Sequence, residues 1–501
     1  MDNSAPATRS GGIVTVLAVA GIVAALMQTL VVPLIGDLPR ILDTTASNAS
    51  WVVTITLLVG AVATPVTGRL GDLLGKRRML LFCSVPLVIG SITCALATSL
   101  APMVIGRGLQ GLGMGMVPLG ISALRELVPP QKLGSSIALI SATLGIGGAL
   151  GLPISAAVTQ NTSWRVLFWG CAVLSVLIGV LIWRLVPATP AMATGGFDFV
   201  GAVGLGIGLV SLLLAVSKGA VWGWGSPEIL GLFAVAVVVL LAWGWWELRT
   251  ADPLVNLRLA AGRQVLLTNA ASVVVGFSMY AQSLIIPQLL QLPESTGYGL
   301  GQSMLAMGLW MLPGGFVMMA VSPVGAKLSA ARGPKVTLVL GALVIALGYG
   351  SSMLLLGSTW GLLVVVCISN AGVGLAYGSM PALIMSAVPP SATGSANSFN
   401  TLMRSVGTSV AAAVVGVVLA QMSVDIGGGH TIPTEAGFRT GLLIGCGVAL
   451  VAAAIAAAIP VEGPRRRRSS PAHPLSRRSD QGIRVESGSR DLALGQEVRS
   501  L

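Results

Sequence analysis

Apolar residues in this chain fall into runs of about twenty, separated by short polar stretches, and a run of that length is what one helical crossing of a bilayer requires. Read this way, the sequence predicts fourteen membrane helices, at about 12–35, 51–70, 79–98, 101–124, 135–158, 166–186, 199–217, 227–248, 264–290, 303–326, 336–356, 360–387, 399–421 and 437–460. The expected fold class is an all-α polytopic membrane protein. Residues 1–11 are polar and precede a first run too long for a cleaved signal peptide, so that run reads as a retained first span.

Composition agrees with the pattern. The 501 residues are 54% apolar and only 9% charged, with 65 glycines and a mean hydropathy of +0.88. A water-facing surface would need about 25% charge, so a soluble globular protein is excluded. The five cysteines (Cys83, Cys94, Cys171, Cys367 and Cys446) all lie inside apolar runs and read as packing residues, not as disulfides or metal ligands. The net charge of +12 is concentrated in short loops and in a basic tail carrying Arg465 to Arg468, Arg477, Arg478, Arg484 and Arg490. No helix-plus-groove or zinc motif accompanies it, so anionic lipid headgroups are the expected partner and nucleic acid is not.

Loop charge sets the expected orientation. With a cytoplasmic N-terminus, the inner loops hold thirteen cations: Arg69, Lys76, Arg77, Arg78, Arg125, Lys132, Arg184, Arg249, Arg258, Arg263, Lys327, Arg332 and Lys335. The outer loops hold four: Arg40, Arg165, Lys218 and Arg439. That bias places the inner loops in the cytoplasm. An even number of spans then puts both termini there.

The chain also repeats. Pro65-Val-Thr-Gly-Arg69-Leu70 followed by Gly75 matches Pro323-Val-Gly-Ala-Lys327-Leu328 followed by Gly333, an offset of 258 residues. Val128-Pro-Pro with Gly134 and Ser135 matches Val388-Pro-Pro with Gly394 and Ser395, an offset of 260. Trp164 and Arg165 have a looser echo in Phe438 and Arg439. Residues 12–186 and 264–460 therefore read as two parallel six-helix bundles, of a kind common in transporters that rock about a central site. Residues 187–263 form a two-helix insert, 1–11 a cytoplasmic N-terminus and 461–501 a disordered basic tail.

Several motifs give the chain a family likeness over roughly residues 12–460. Gly68-Arg-Leu-Gly-Asp72-Leu-Leu-Gly75-Lys76-Arg77-Arg78 resembles the signature loop between the second and third spans of the major facilitator superfamily. Arg107-Gly-Leu-Gln110-Gly111 resembles its fourth-span motif, and Gly145-Ile-Gly147-Gly148-Ala-Leu-Gly151-Leu-Pro153 the antiporter motif of its fifth. Segments around Trp164, Asp252 and Tyr298 favour the fourteen-span drug:proton antiporter branch.

The resemblance implies a cytoplasmic latch built from Gly68, Asp72, Gly75, Lys76 and Arg77. The turn glycines suit a close helix approach, and the carboxylate suits a helix N-terminus or a cation. The second copy has Ala330 at the Asp72 position, so the latch is expected on one side only. In the family the counterpart of Arg107 is tied to proton transfer or to ordering of the cavity; a structural arginine satisfying helix carbonyls is the other reading. Gly147, Gly151 and Pro153 are expected to let helices pack closely and slide.

Two departures stand out. Leu152 interrupts the usual Gly-Pro pair, and Met27 occupies the place of the branch's first-span acid. None of the 17 acids lies mid-span; Asp37 and Asp72 come nearest. A proton-coupled carrier needs a group that changes charge, so proton coupling rests here on the resemblance alone.

Polar residues inside spans mark the expected pathway: Gln28, Gln110, Asn269, Tyr280, Gln282, Asn370, Tyr377, Asn400 and Arg404, with Arg107. Asn400 and Arg404, four residues apart, share a helix face. With no buried acid and two buried arginines, neutral or anionic amphiphiles are expected to be tolerated better than cations. The chain lacks a Walker-type phosphate loop, a metal cluster and a hydrolase elbow, so neither a built-in ATPase nor an enzyme is expected, and no cofactor. The expected function is secondary active transport, namely efflux of drugs or amphiphilic metabolites by proton antiport with alternating access, by a monomer in the plasma membrane. An uptake permease or uncoupled facilitator on the same fold is the alternative.

Overall fold

The computed structural model describes residues 7–35, 37–425 and 431–460. The basic tail and residues 1–6 of the expected cytoplasmic N-terminus lie outside the described residues. Thirteen helices among the described residues are long and apolar enough to cross a membrane. In chain order the long elements are α1 Ala7–Thr29, α2 Trp51–Leu74, α3 Lys76–Ala95, α4 Leu100–Leu112 continuing as Met116–Leu127, α5 Pro130–Asn161, α6 Arg165–Leu185 and α7 Phe199–Trp222. They continue as α8 Pro227–Arg249, α9 Arg263–Gln291, α10 Met304–Arg332, α11 Pro334–Leu355, α12 Thr359–Ala387, α13 Thr393–Gln421 and α14 Glu435–Ala457.

The expected continuous fourth span is instead broken. Its two pieces of 13 and 12 residues flank a 3₁₀ turn at Gly113–Gly115. The backbone stays right-handed through the break (Gly113 φ −78°, Gly115 φ −63°), so the chain does not reverse. Both glycines approach neighbours where a Cβ would collide, Gly113 with Leu87 and Gly115 with Thr67. A second difference concerns the α2–α3 junction, expected as a loop from Gly68 to Arg78. Gly68 to Leu74 complete α2 and Lys76 to Arg78 open α3, leaving Gly75 alone as the turn at φ 92°, ψ 136°. Such a φ suits glycine alone. Its repeat partner Gly333 makes the same one-residue turn between α10 and α11, at φ 89°, ψ 153°. A short hairpin, Ser423–Asp425 with Thr431–Pro433, precedes α14 and was not expected.

Buried side chains form two large apolar clusters. One draws on α1 to α6 with Met385 of α12, the other on α9 to α14. The two sets of helices meet along two seams, α5 against α10 and α12, and α2 with α4 against α13. Between the seams α1 packs on α4, α5 and α6 of its own set, and α9 on α10, α12, α13 and α14 of its own. The insert is not symmetric about this arrangement. Helix α7 lies over the α2–α13 seam, where Leu205, Leu209 and Leu213 join Leu58, Ala61 and Leu402, and α8 packs on α7.

Side-chain caps start five of the long helices: Asp198 at α7, Ser226 at α8, Ser303 at α10, Ser358 at α12 and Thr434 at α14. Helix α13 has no such cap of its own; Ala392 stands at that position. Its first-turn amides need an acceptor from elsewhere.

Candidate functional site

That acceptor comes from the other half of the molecule. Asp72, in the last turn of α2, receives the Gly394 amide on Oδ1 at 2.9 Å and the Ser395 amide on Oδ2 at 2.8 Å. A carboxylate on the amides of a helix N-terminus is favoured both as hydrogen-bond acceptor and as an anion at the positive end of the helix dipole. The approach depends on two glycines. A Cβ on Gly68 would lie 2.7 Å from the Gly394 carbonyl oxygen, and one on Gly394 would lie 2.7 Å from that of Gly68.

Lys76 lies 3.4 Å from Asp72 Oδ1 and also holds Glu126 of α4. Asp72 and Lys76 are both fully sealed from solvent, so this is a buried chain of charges and not a solvated loop. Arg125 extends the grip, donating to the Val388 carbonyl at 3.2 Å and to Thr393 Oγ1 at 3.0 Å. The expected latch residues thus divide in two. Gly68, Asp72 and Lys76 act at the junction of the halves, whereas Gly75 and Arg77 face the linker that leads to the insert. The Arg77 amide donates to Thr189 Oγ1 at 3.0 Å and its guanidinium to the Trp183 carbonyl at 2.5 Å. Met192 and Ala193 both donate their amides to the Asp72 carbonyl at 3.0 Å. Arg69 reaches the Gly196 carbonyl and Asp252, so both linkers of the insert are tied to the end of α2.

Sequence reasoning missed Glu126, counted Arg125 only as a loop charge, and saw Gly394 and Ser395 as a repeat echo without their partner. The echo was the available signal, because it showed those two residues recurring in both copies of the duplicated unit. The buried Glu247, close to Asp198 at the start of α7 and accepting the Val255 amide at 3.3 Å, was missed as well.

Arg107 is sealed at 1% exposure. Its Nε donates to the Val52 carbonyl at 3.1 Å, and Nη1 to the Met27 carbonyl at 2.9 Å and to Gln110 Oε1 at 2.6 Å. Gln110 in turn donates to Ser91 Oγ at 2.8 Å. The guanidinium therefore fastens α4 to α1, α2 and α3 through oxygens that carry no net charge.

Asn400 and Arg404 share α13 but not their surroundings. Asn400 is buried and donates to Asn269 Oδ1 at 2.9 Å and Ser272 Oγ at 2.7 Å, joining α13 to α9. Arg404 is half-buried and lies over the Tyr377 ring of α12, 4.5 Å from its centroid. Gln28 is half-buried in the last turn of α1. Asp37 lies just beyond the end of that helix, exposed and paired with Arg40 at 3.4 Å.

Gly147 and Gly151 turn towards α1, where a Cβ on Gly147 would come within 2.7 Å of Ala25 Cβ. Pro153 faces α10 instead: a Cβ on Gly308 would lie 2.9 Å from its nitrogen. Gly145 also faces α10, with its carbonyl 2.9 Å from a Cβ placed on Gly315. The glycine-rich stretch of α5 is a two-faced packing surface between α1 and the second half.

A sequence model of the Major Facilitator Superfamily matches residues 17–412. An uncharacterised MFS-type transporter of Mycobacterium tuberculosis is 34% identical over 60% of this chain, and the match spans 43% of that relative's length. Multidrug resistance protein 3 of Bacillus subtilis is 26% identical over 74% of the chain and 72% of its own. Multidrug resistance protein Stp of M. tuberculosis is 28% identical over 77% and 71%. Among solved structures, the human organic anion transporter MFSD10 superposes with a TM-score of 0.64 at 16% identity, covering 89% of this chain and 99% of its own. The proton:xylose symporter XylE gives 0.61 at 14% identity, covering 90% and 96%. Thirteen of the described helices are long and apolar enough to cross a membrane and the family model matches most of the chain, which belongs to the major facilitator superfamily.

Proposed function

We propose that this chain exports amphiphilic small molecules from the cytoplasm across the plasma membrane, as a monomer that exchanges them for protons by alternating access. The observation that carries the reading is the Asp72 junction: a closed contact between the halves that consists of a few charge-assisted hydrogen bonds at one end of one seam. The multidrug resistance proteins, each matched over about 70% of its length, support the efflux direction. The excess of basic residues on the Gly75 face supports a cytoplasmic position for that face and for the N-terminus. Protonating Asp72 would remove the anion that holds α13, so proton binding and opening of this face would be linked at one residue. Asp72 and Glu126 are the protonatable groups of that junction, and Arg107, Gln110, Gln28, Asn400 and Arg404 are the polar residues of the path.

The test is reconstitution of the full chain in liposomes with an imposed pH gradient. Proton-driven accumulation of an amphiphilic dye against its concentration gradient, abolished by a protonophore, is the expected result. Transport that ignores the gradient would overturn proton antiport. One observation favours a second reading, an uptake permease or uncoupled facilitator. No acid among the described residues lies in the middle of a span, and XylE, a symporter, has the same fold. Downhill movement in either direction at equal rates would establish it.

A further inference from the structure

The two intramembrane arginines are treated very differently by their surroundings. Arg107 has three oxygen acceptors from three sources. Arg404 has, as its partner among the described residues, only Tyr377, over whose ring it lies at 4.5 Å. A guanidinium keeps its charge and carries five N–H donors, of which a ring face can occupy few. Arg404 is the twelfth residue of α13, about 16 Å along that helix and hence near the middle of the membrane. A Cβ on Gly276 of α9 would lie 3.0 Å from Arg404 Cγ, so the stem of the arginine is held against α9 while its head turns to α12.

No carboxylate occurs in α9, α12 or α13, nor in α1, α5, α10 or α11. The nearby polar side chains do not replace one. Asn400 is spent on α9, and the Tyr377 hydroxyl donates to Met279 Sδ at 2.8 Å. Met279 itself is 36% exposed in mid-helix, an apolar and polarisable surface next to an incompletely paired cation. A charge at this depth calls for a counter-charge.

We propose that Arg404 is the binding group for the anionic end of an acidic amphiphilic solute, whose apolar body lies against Tyr377 and Met279. The inference rests on the transport reading above and narrows its substrate class to carboxylates or sulfonates with an apolar body. A cationic solute would be repelled at the same place.

The test uses the purified full chain in nanodiscs and a matched pair of probes, dansylglycine and its uncharged amide, dansylglycinamide, with dansylcadaverine as the cation. Binding is read at equilibrium by dansyl fluorescence. A charge-assisted pair is expected to give the carboxylate about tenfold or more tighter binding than the amide. Arg404→Gln should remove that preference, whereas Arg404→Lys, which keeps the charge, should retain part of it. Equal binding of acid and amide by the unmodified protein, binding of neither, a preference for the cation, or a preference that survives in Arg404→Gln would each overturn the proposal. Should Arg404→Gln fail to fold, Arg404→Met, an apolar stem of similar length, carries the same comparison, and the unmodified protein still decides by its own discrimination. Because no gradient is applied, a protein that shows the charge preference yet moves no solute keeps this subsite and loses the transport reading. One that pumps dye with no charge preference does the reverse.

Discussion

The two seams that join the halves are related by the internal repeat, yet they close by different means. At α2–α13, Gly68 and Gly394 bring two backbones together and Asp72 then caps the α13 amides. At α5–α10 the contact runs through small residues over several turns, from Gly308 on Pro153 to Gly315 on Gly145 and Ala149, with Ser322 donating to the Ala138 carbonyl at 2.6 Å. The position equivalent to Asp72 is Ala330, which is exposed.

The lack of an acid is only half of the difference. Gly134 and Ser135, the counterparts of Gly394 and Ser395, are the fifth and sixth residues of α5, where amides already bond within the helix. Gly394 and Ser395 are the second and third of α13, where they do not. One seam thus has, beside its apolar packing, a capping bond at its end that a proton or a conformational strain can give up. The other is held by close packing of small residues between Gly308 and Ser322 on one side and Ala138 and Pro153 on the other. In the rocking motion proposed above, the first is the switch and the second the pivot.

Four substitutions test this contrast. The largest effect is expected from Gly315→Val in the pivot, because its Cβ would meet Ala149 Cβ at 2.5 Å and a carbonyl at 2.9 Å, neither of which can swing aside. Overpacking there should cost about 3 kcal/mol, read as a lowered unfolding temperature in detergent together with loss of transport. Undiminished transport would remove the pivot from the account. Asp72→Asn comes next. It keeps the shape but discards the charge, weakening the cap by about 2 kcal/mol and shifting the protein towards the form open on the Gly75 face. Reactivity of a cysteine placed at Ser398 measures that shift, and unaltered labelling would rule out the switch.

Arg125→Ala should do the same in smaller measure, about 1 kcal/mol, because it loses one neutral carbonyl and one hydroxyl acceptor. The smallest effect belongs to Ala330→Asp. It supplies the missing acid, but the amides opposite are already engaged, so unfolding temperature and transport should change by less than about 0.5 kcal/mol equivalent. A clear gain in stability of the closed form would mean that the acid alone explains the asymmetry.

Much of this was legible beforehand. The apolar runs located the long helices because lipid leaves the backbone no partner but itself. The 258-residue offset anticipated the shared geometry of Gly75 and Gly333, since a one-residue turn between helices needs a φ that only glycine holds comfortably. The break in α4 was not legible, because Gly113 to Gly115 sits within an unbroken apolar run, and only the fold shows Leu87 and Thr67 close against it. Nor was the engagement of Asn400 as an interhelical tie, since the same residue on the same face serves equally well as a cavity wall until α9 is placed beside it.

By itself, the sequence determined that the chain crosses a membrane many times, that it contains a duplicated unit, and that one copy of the unit has an acid where the other has alanine. These are local properties of composition, hydropathy and spacing. Only the tertiary structure decided which amides that acid would cap, that Arg107 is surrounded by oxygens while Arg404 is not, and that the insert packs against the α2–α13 seam. Each depends on which helices are neighbours, and residues 322 and 323 positions apart come within 3 Å through packing that no local pattern encodes.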